Sequence, residues 1–402
     1  MLSKLKVVLV ILFFTIINCG TTQLTYSAKF FDTEKIVVGA EQTAQYLPML
    51  QGKNVALVVN QTSTVGTTHL VDTLYNSGIQ IKAIFAPEHG FRGEADRGVD
   101  IADSKDERTN IPIISIYGKK KKPSSKDLAG IDLVVFDIQD VGARFYTYIY
   151  TMHYVMEACA ENDVAFMVLD RPNPNGHYVD GPMMKDKFKS FIGLHPIPVV
   201  HGMTVGEYAQ MINGQGWLKD EKKCKLDVVL CKNYDHKKFY ELPIKPSPNL
   251  PNIRSIYLYP SLCFFEGTAA SVGRGTDTQF QVYGHPEYPL GVYEFKPVSM
   301  PGAKYPVHEN KLCKGYSLVN SPMRELQKKA ALDLNYVIGF YRNFPDKSDF
   351  FREDNFFDLL AGTDELRKQI EAGKSEAEIR ASWQTGLDEF KQVRKQYLLY
   401  KD

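Results

Sequence analysis

The sequence lacks an excess of charge of either sign and has few cysteines and tryptophans. Its 48 Lys and Arg balance 47 Asp and Glu, so the net charge of +1 gives no indication of a broad nucleic-acid-binding surface. Hydrophobic residues make up 44% and charged residues 24% of the 402 residues, which excludes a disordered, a collagen-like and a polytopic membrane chain. The aromatic residues include 2 Trp against 23 Tyr and 23 Phe. This content suits a packed α/β protein and a sugar-binding protein equally well.

Long apolar runs are also missing, except near the N-terminus. Residues 7–17 are apolar apart from Thr15, follow Lys4 and Lys6, and are too short to span a bilayer comfortably. This pattern is typical of a secretory signal, and Cys19 behind it resembles a bacterial lipoprotein processing site. We therefore expect residues 1–19 to be a signal peptide of the lipoprotein type, with ordinary cleavage near Cys19 as the alternative. The predicted location is the periplasm of a bacterium, or its membrane through a lipidated Cys19.

The other cysteines do not form a metal-binding pattern. Cys159, Cys224, Cys231, Cys263 and Cys313 are odd in number, and no C-x-x-C occurs among them. A structural zinc site is therefore not indicated. We expect all of them to be buried thiols, with a disulfide between Cys224 and Cys231 as the alternative.

Several familiar catalytic motifs are absent. The sequence contains no G-x-G-x-x-G after the first predicted strand, no phosphate-binding loop and no G-x-S-x-G nucleophile motif. We therefore expect no cofactor. A metal site built from His89, Asp137, Asp140 and His201 is a weaker alternative, because no H-E-x-x-H or carboxylate-rich ligand run supports it.

Short apolar runs alternate with helical patterns between residues 35 and 174, which predicts an α/β fold with an open, doubly wound, mainly parallel sheet. Capping boxes at Thr204 and Ser375 predict helix starts. The proline-rich segment 245–251 predicts a domain boundary near residue 250. The predicted strands are 54–60, 79–86, 111–117, 133–138 and 164–169; the predicted helices are 68–76, 148–161 and a region at 321–343; residues 252–310 predict short strands and turns.

Polar residues follow most of these strands, at the edge where open α/β sheets bind ligands. They are Asn60 after the first strand, Glu88 and His89 after the second, Asp137, Gln139, Asp140 and Arg144 around the end of the fourth, and Asp170, Arg171 and Asn173 after the fifth. Each of them alone could be a helix cap or half of an ion pair. Together they predict a site.

Glu88 is the strongest candidate for an acid, since a carboxyl group in such a crevice can act as a general acid. His89 could orient it, and Asp137 or Asp140 could be the second carboxylate that glycoside hydrolysis usually needs. Arg144, Arg171 and Arg274 could grip a substrate carboxylate through paired hydrogen bonds.

At these residues the sequence resembles the exo-β-N-acetylmuramidases of peptidoglycan recycling, a glycoside hydrolase family. The resemblance implies a Rossmann-like N-terminal domain, here residues 35–250, a smaller C-terminal α/β domain, here 251–402, and a cleft between them. The matching segments are 85–93 (F-A-P-E-H-G-F-R-G), 136–147 (F-D-I-Q-D-V-G-A-R-F-Y-T), 170–175 (D-R-P-N-P-N), 200–206 (V-H-G-M-T-V-G), 246–251 (P-S-P-N-L-P) and 265–276 (F-E-G-T-A-A-S-V-G-R-G-T).

The resemblance implies release of terminal N-acetylmuramic acid from peptidoglycan-derived muropeptides or disaccharides, with Glu88 as the acid. A protein nucleophile, an inverting displacement and attack by the 2-acetamido group of the substrate all stay open. A non-catalytic muropeptide-binding lipoprotein and a metal-dependent cell-wall hydrolase or esterase are the alternative functions. The matched positions expected to line the sugar site are His89, Arg92, Asp137, Gln139, Asp140, Arg144, Tyr146, Asp170, Arg171, Asn173, His201, Glu266 and Arg274.

Overall fold

A seven-stranded sheet forms the centre of the part of the chain that the computed structural model describes, residues 34–88, 90–91 and 104–402. Its strands are β1 (Asn54–Val59), β4 (Gln80–Ala86), β5 (Ser104–Lys105), β6 (Pro112–Ser115), β7 (Leu133–Asp137), β8 (Ala165–Leu169) and β9 (Lys225–Val229), and a short hairpin of β2 (Thr64–Val65) and β3 (Thr68–His69) follows β1. The strand order is β5-β6-β4-β1-β7-β8-β9. All neighbours pair in parallel except β5 and β6. The predicted doubly wound, mainly parallel sheet is confirmed.

The central strand β1 shows why the sheet forms. Val55, Leu57 and Val59 pack into the hydrophobic cluster on one face, whereas Ala56 and Val58 pack into the cluster on the other. Successive side chains of a strand point to opposite faces, so a continuous apolar run is buried only where helices cover both faces.

Helices cover both faces of this sheet and build much of the C-terminal part. Both predicted capping boxes are present, at Thr204 and at Ser375. The helices are α1 (Thr43–Leu50), α2 (Leu70–Asn76), α3 (Tyr148–Glu161), α4 (Val205–Gly214), α5 (Ile253–Leu262), α6 (Met323–Lys329), α7 (Asn335–Arg342), α8 (Phe356–Ala361), α9 (Glu365–Glu371) and α10 (Glu376–Lys395).

The C-terminal part also carries a small antiparallel sheet, of strands β10 (Val282–His285), β12 (Cys313–Ser317) and β11 (Tyr293–Phe295) in that order. The single helical region predicted at 321–343 is wrong, because α6 ends at Ala330 in the left-handed conformation, with φ of 44°. Residues 35–402 form one compact unit by their contacts, so the division near residue 250 stays a prediction.

The cysteines beyond residue 33 behave as expected. Cys159, Cys224, Cys231 and Cys313 are buried free thiols, so the alternative disulfide between Cys224 and Cys231 is not present. Cys263 is buried as well. The predicted signal segment and Cys19 lie outside the described residues. Among the helices that are described, none has the length and apolar character needed to cross a membrane.

Candidate active site

Glu88 lies in the turn that follows β4, and two hydroxyl groups hold its side chain. The Tyr117 hydroxyl donates to Oε1 at 2.7 Å, and the Thr147 hydroxyl donates to Oε2 at 2.9 Å. Only 9% of Glu88 is exposed. The chain turns behind it at Gly90, whose φ of 78° is costly for residues with a side chain. A carboxyl group held at both oxygens has one orientation, as an acid catalyst requires.

Glu88 lines a cleft of about 110 Å³ whose walls are largely aromatic. Tyr146 and Tyr148 meet edge to face with ring centroids 5.1 Å apart, and Tyr259 from α5 lies 6.0 Å from the Tyr146 ring. Aromatic walls with a few placed polar groups are typical of small-ligand sites. The other lining residues are Tyr117, Phe145, Thr147, Phe191, Ile192, Ser247, Asn249, Leu250, Cys263, Glu266, Arg274, Phe280 and Leu360.

An ion pair from the C-terminal part lies in the same cleft. Arg274 donates through Nε to Glu266 Oε1, and its guanidinium carbon lies 5.1 Å from the centroid of the Phe280 ring. The two terminal nitrogens of Arg274 make no hydrogen bond to another described residue. They are therefore the groups in this cleft best suited to an anionic ligand.

Asp137 and Arg171 form a buried ion pair and do not line the cleft. Nε of Arg171 donates to Oδ1 of Asp137, and Nη2 donates to Oδ2 at 2.9 Å. Both residues are almost completely buried. Burial raises the pKa of Asp137, and the charge of Arg171 opposes that shift. Because these two charges are paired with each other away from the cleft, the expected roles of Asp137 as second carboxylate and of Arg171 as substrate clamp need correction to a structural one.

Arg144 is also used inside the protein. Its Nη1 donates to the carbonyl oxygens of Pro182 and Ile197, and its Nη2 donates to that of Leu360. The side chain is fully buried, and burial lowers its pKa to about 10. These bonds join the loop after β7 to α8, so Arg144 holds the chain together, and both of its terminal nitrogens are bonded to backbone carbonyls.

Asp140 is buried close to the cleft without lining it. Its Oδ2 accepts from the Gly142 backbone N–H at 2.6 Å, its Oδ1 has no partner among the described residues, and burial raises its pKa to about 7. Gln139 donates to the carbonyl oxygens of Asp140 and Pro172. Asn60 accepts from the backbone and side chain of Thr62. These three predicted residues shape the loops behind the cleft.

The remaining predicted residues of the N-terminal part are structural as well. Asp170 accepts from Arg171 N–H, Gly206 N–H, the Thr204 hydroxyl and the Tyr400 hydroxyl, and burial raises its pKa to about 6. Asn173 donates to the Met203 carbonyl. His201 accepts from Met203 N–H, and burial lowers its pKa to about 3, so its ring is neutral. His89 and Arg92 lie outside the described residues.

Of the predicted residues, the structure thus brings Glu88, Tyr146, Glu266 and Arg274 into one cleft. Tyr117 and Thr147, which hold Glu88, were not predicted. Tyr117 is the last residue of the third predicted strand, 111–117, and lies beyond the end of β6 in the structure. Because it was assigned to the strand itself, it was not among the polar residues that follow the strands. Thr147 closes the matched segment 136–147 and begins the turn into α3.

No metal-binding cluster accompanies the cleft within the described part of the chain. No group of three or more His, Cys, Asp or Glu side chains there has an arrangement that could hold an ion. The alternative set of Asp137, Asp140 and His201 is therefore not assembled as a metal site by the described residues.

An oriented, mostly buried carboxyl group in an aromatic cleft beyond the carboxyl ends of parallel strands is the arrangement of an α/β enzyme. Comparison with known proteins identifies the family. The model of the N-terminal domain of exo-β-N-acetylmuramidase NamZ matches residues 55–254, and the model of its C-terminal domain matches residues 257–400. The chain belongs to this family and is a glycosidase.

Individual relatives agree with that assignment. The chain is 38% identical over 373 residues to the peptidoglycan β-N-acetylmuramidase NamZ of Bacillus subtilis strain 168, which covers 88% of this chain and 89% of the relative. A crystal structure of a DUF1343 family protein from Bacteroides fragilis NCTC 9343 matches with TM-score 0.85 and 50% identity, covering 92% of this chain and 99% of the other. A second DUF1343 structure from that bacterium matches with TM-score 0.78 and 30% identity, covering 91% and 99%.

Proposed function

We propose that this glycosidase removes terminal N-acetylmuramic acid from the non-reducing end of peptidoglycan fragments, in cell-wall turnover and recycling, with Glu88 as general acid. The observation that carries the proposal is the Glu88 carboxyl group, fixed by Tyr117 and Thr147 inside the aromatic cleft. The B. subtilis relative, described as a peptidoglycan β-N-acetylmuramidase, supports the substrate class.

Glu88 would transfer its proton to the glycosidic oxygen as the bond to the anomeric carbon breaks. The leaving sugar then departs as a neutral alcohol, and Glu88 remains as a carboxylate. The hydroxyl groups of Tyr117 and Thr147 already donate to its two oxygens. They therefore stabilise the charge that the carboxyl group acquires in this step.

The anomeric carbon also needs an attacking group. Besides a water molecule activated by a carboxylate, which would invert the configuration, two candidates fit, and with either of them water afterwards hydrolyses the intermediate and releases the free sugar. Glu266 is the other carboxylate among the described residues that line the cleft. The second candidate is the substrate itself, because the 2-acetamido oxygen of N-acetylmuramic acid can attack the anomeric carbon. In either case Glu88 acts as the acid, and Asp137 is not a candidate because it does not line the cleft.

Arg274 supplies the selectivity for N-acetylmuramic acid. This sugar differs from N-acetylglucosamine by a lactyl group that ends in a carboxylate. The terminal nitrogens of Arg274 are not hydrogen-bonded to another described residue, and a guanidinium binds a carboxylate through two parallel hydrogen bonds. N-acetylglucosamine cannot form this pair.

The direct test is hydrolysis of the 4-nitrophenyl β-glycosides of the two sugars, with EDTA present throughout. We expect turnover of the N-acetylmuramic acid glycoside alone. Failure of the folded enzyme to hydrolyse either glycoside would contradict the proposal, and activity that returns only without EDTA would indicate a metal-dependent hydrolase.

The role of Glu88 is tested by Glu88→Gln. We expect a loss of about 10²–10⁴-fold in kcat for a disaccharide, with unchanged folding by circular dichroism. The loss should be smaller for the nitrophenyl glycoside, because nitrophenol is a good leaving group that needs less protonation. Glu287→Gln, at an exposed glutamate outside the cleft, is the matched control and should retain full activity. Equal losses on both substrates would argue against the acid role.

A further inference from the structure

A second, larger cavity adjoins the cleft that contains Glu88. It measures about 540 Å³, against about 110 Å³ for the cleft. Glu266 and Arg274 line both spaces. The ion pair between these two residues therefore separates the cleft from the second cavity. A single extended ligand that fills both spaces would pass over it.

The walls of this second cavity carry apolar side chains that are open to solvent. Tyr305 is 80% exposed and Val307 is 47% exposed. Most of the surface of both side chains is apolar. Exposed apolar groups beside a cavity mark ligand-binding grooves, and a tyrosine ring offers a flat face against which a sugar ring can stack.

The charged groups of the cavity favour an anionic chain. Arg352 is paired with Asp354, and Arg274 with Glu266. Lys304 forms no ion pair with any described residue, and its Nζ lies 5.4 Å from the centroid of the Tyr305 ring. One unpaired cation therefore remains beside the exposed ring, where it can meet a carboxylate of the ligand.

We propose that this second cavity binds the glycan that the enzyme leaves behind, with Tyr305 stacking on a sugar and Lys304 facing a lactyl carboxylate. The inference rests on the proposed function. An enzyme that removes one terminal sugar needs a small space for that sugar and a wider one for the rest of the chain. The two cavities meet this requirement, and they join at the residues expected to contact the terminal sugar.

Binding tests the proposal without any need for turnover. N,N′-diacetylchitobiose is titrated into the enzyme by calorimetry, once alone and once with saturating N-acetylmuramic acid. We expect the disaccharide to bind in both titrations, and Tyr305→Ala to weaken it about tenfold, as loss of one aromatic stacking contact does. Tyr305→Phe keeps the ring and should bind the disaccharide as the wild type does. N-acetylmuramic acid should bind equally well to the wild type and to both variants.

Kinetics give the second readout. Tyr305→Ala should lower kcat/KM about tenfold for an oligosaccharide that ends in N-acetylmuramic acid. Val292→Ala changes a side chain that is 84% exposed and does not line the cavity, so it should leave kcat/KM unchanged. The proposal is overturned if chitobiose does not bind, or if Tyr305→Ala binds it as well as the wild type. Failure of N-acetylmuramic acid to bind would instead count against the proposed function. The titration with chitobiose alone would still test the second cavity.

Discussion

Single buried side chains stabilise the carboxyl edge of the sheet, and Arg171 is the main example. It is paired with Asp137 by two hydrogen bonds, and both side chains are buried. We expect Arg171→Met to lower the free energy of unfolding by about 3–5 kcal/mol, because it leaves a buried carboxylate without its partner. Urea denaturation at pH 7 measures this loss.

A surface pair provides the matched control for that prediction. Arg352 and Asp354 are about half exposed, so Arg352→Met should cost about 1 kcal/mol or less. The double variant Asp137→Asn with Arg171→Met should recover part of the loss, since it removes the unpaired charge. Equal losses in the two single variants would mean that Asp137 finds another partner or becomes protonated at little cost.

At the scale of elements, the start of α4 joins three parts of the fold. The Thr204 hydroxyl accepts from Glu207 N–H and donates to Asp170 at the end of β8, and Glu207 in turn accepts from Leu399 N–H near the C-terminus. We expect Thr204→Ala to cost about 2–3 kcal/mol, because it removes a helix cap and one donor to a buried carboxylate. Ser375→Ala removes the exposed capping box of α10 and should cost about 1 kcal/mol. Chemical denaturation of both variants checks the difference, and equal losses would show that the bond to Asp170 adds nothing.

Helices and strands could be predicted from the sequence where they depend on a local pattern. Apolar runs and capping boxes depend on neighbours in sequence, so the five predicted strands and helices α3, α4 and α10 were found. Helix α5 was missed because Pro260 interrupts its pattern. That proline cannot donate to the carbonyl of Ile256 four residues earlier, and Asn175 donates to this carbonyl instead. A contact between residues so far apart in sequence is not visible in a local pattern.

The candidate site could also be predicted only in part from the sequence. The loops after β4 and β7 were identified correctly as parts of the cleft, because their position needs only the strand pattern, whereas the loops after β1 and β8 do not line it. Which of their side chains remain available to a ligand was not, since that depends on distant partners: Arg144 is bound by the carbonyl of Leu360, which lies 216 residues away. A polar side chain after a strand therefore predicts a location more securely than a role.

For the whole molecule, stability should depend on pH through its buried acids and its buried histidines. Burial raises the pKa of Asp140 from its ordinary value of 3.8 to about 7. The folded state therefore holds the proton that the unfolded chain releases, and the stabilisation from the protonated group is lost as pH rises from about 4 to 7. Asp170, whose pKa burial raises to about 6, acts in the same direction. The two acids thus favour pH 5 over pH 8, with Asp140 contributing on the order of 2 kcal/mol. Buried histidines act in the opposite direction. Burial lowers the pKa of His201 to about 3 and that of His153 to about 4, so below about pH 6.5 the unfolded chain takes up protons that the folded state does not hold.

Asp140→Asn isolates the contribution of Asp140, because the amide cannot ionise and its oxygen can still accept from Gly142 N–H. Between pH 5 and pH 8 the difference in the free energy of unfolding between variant and wild type should change by about 2 kcal/mol in favour of the variant, as measured by urea denaturation at the two pH values. Asp186→Asn changes an acid that is 81% exposed and should leave the wild-type dependence intact. If Asp140→Asn has the same pH dependence as the wild type, Asp140 is ionised in the folded state at little cost, and the pH dependence comes from Asp170 and the other buried groups. A change of the expected size and sign would identify Asp140 as a neutral acid below pH 7.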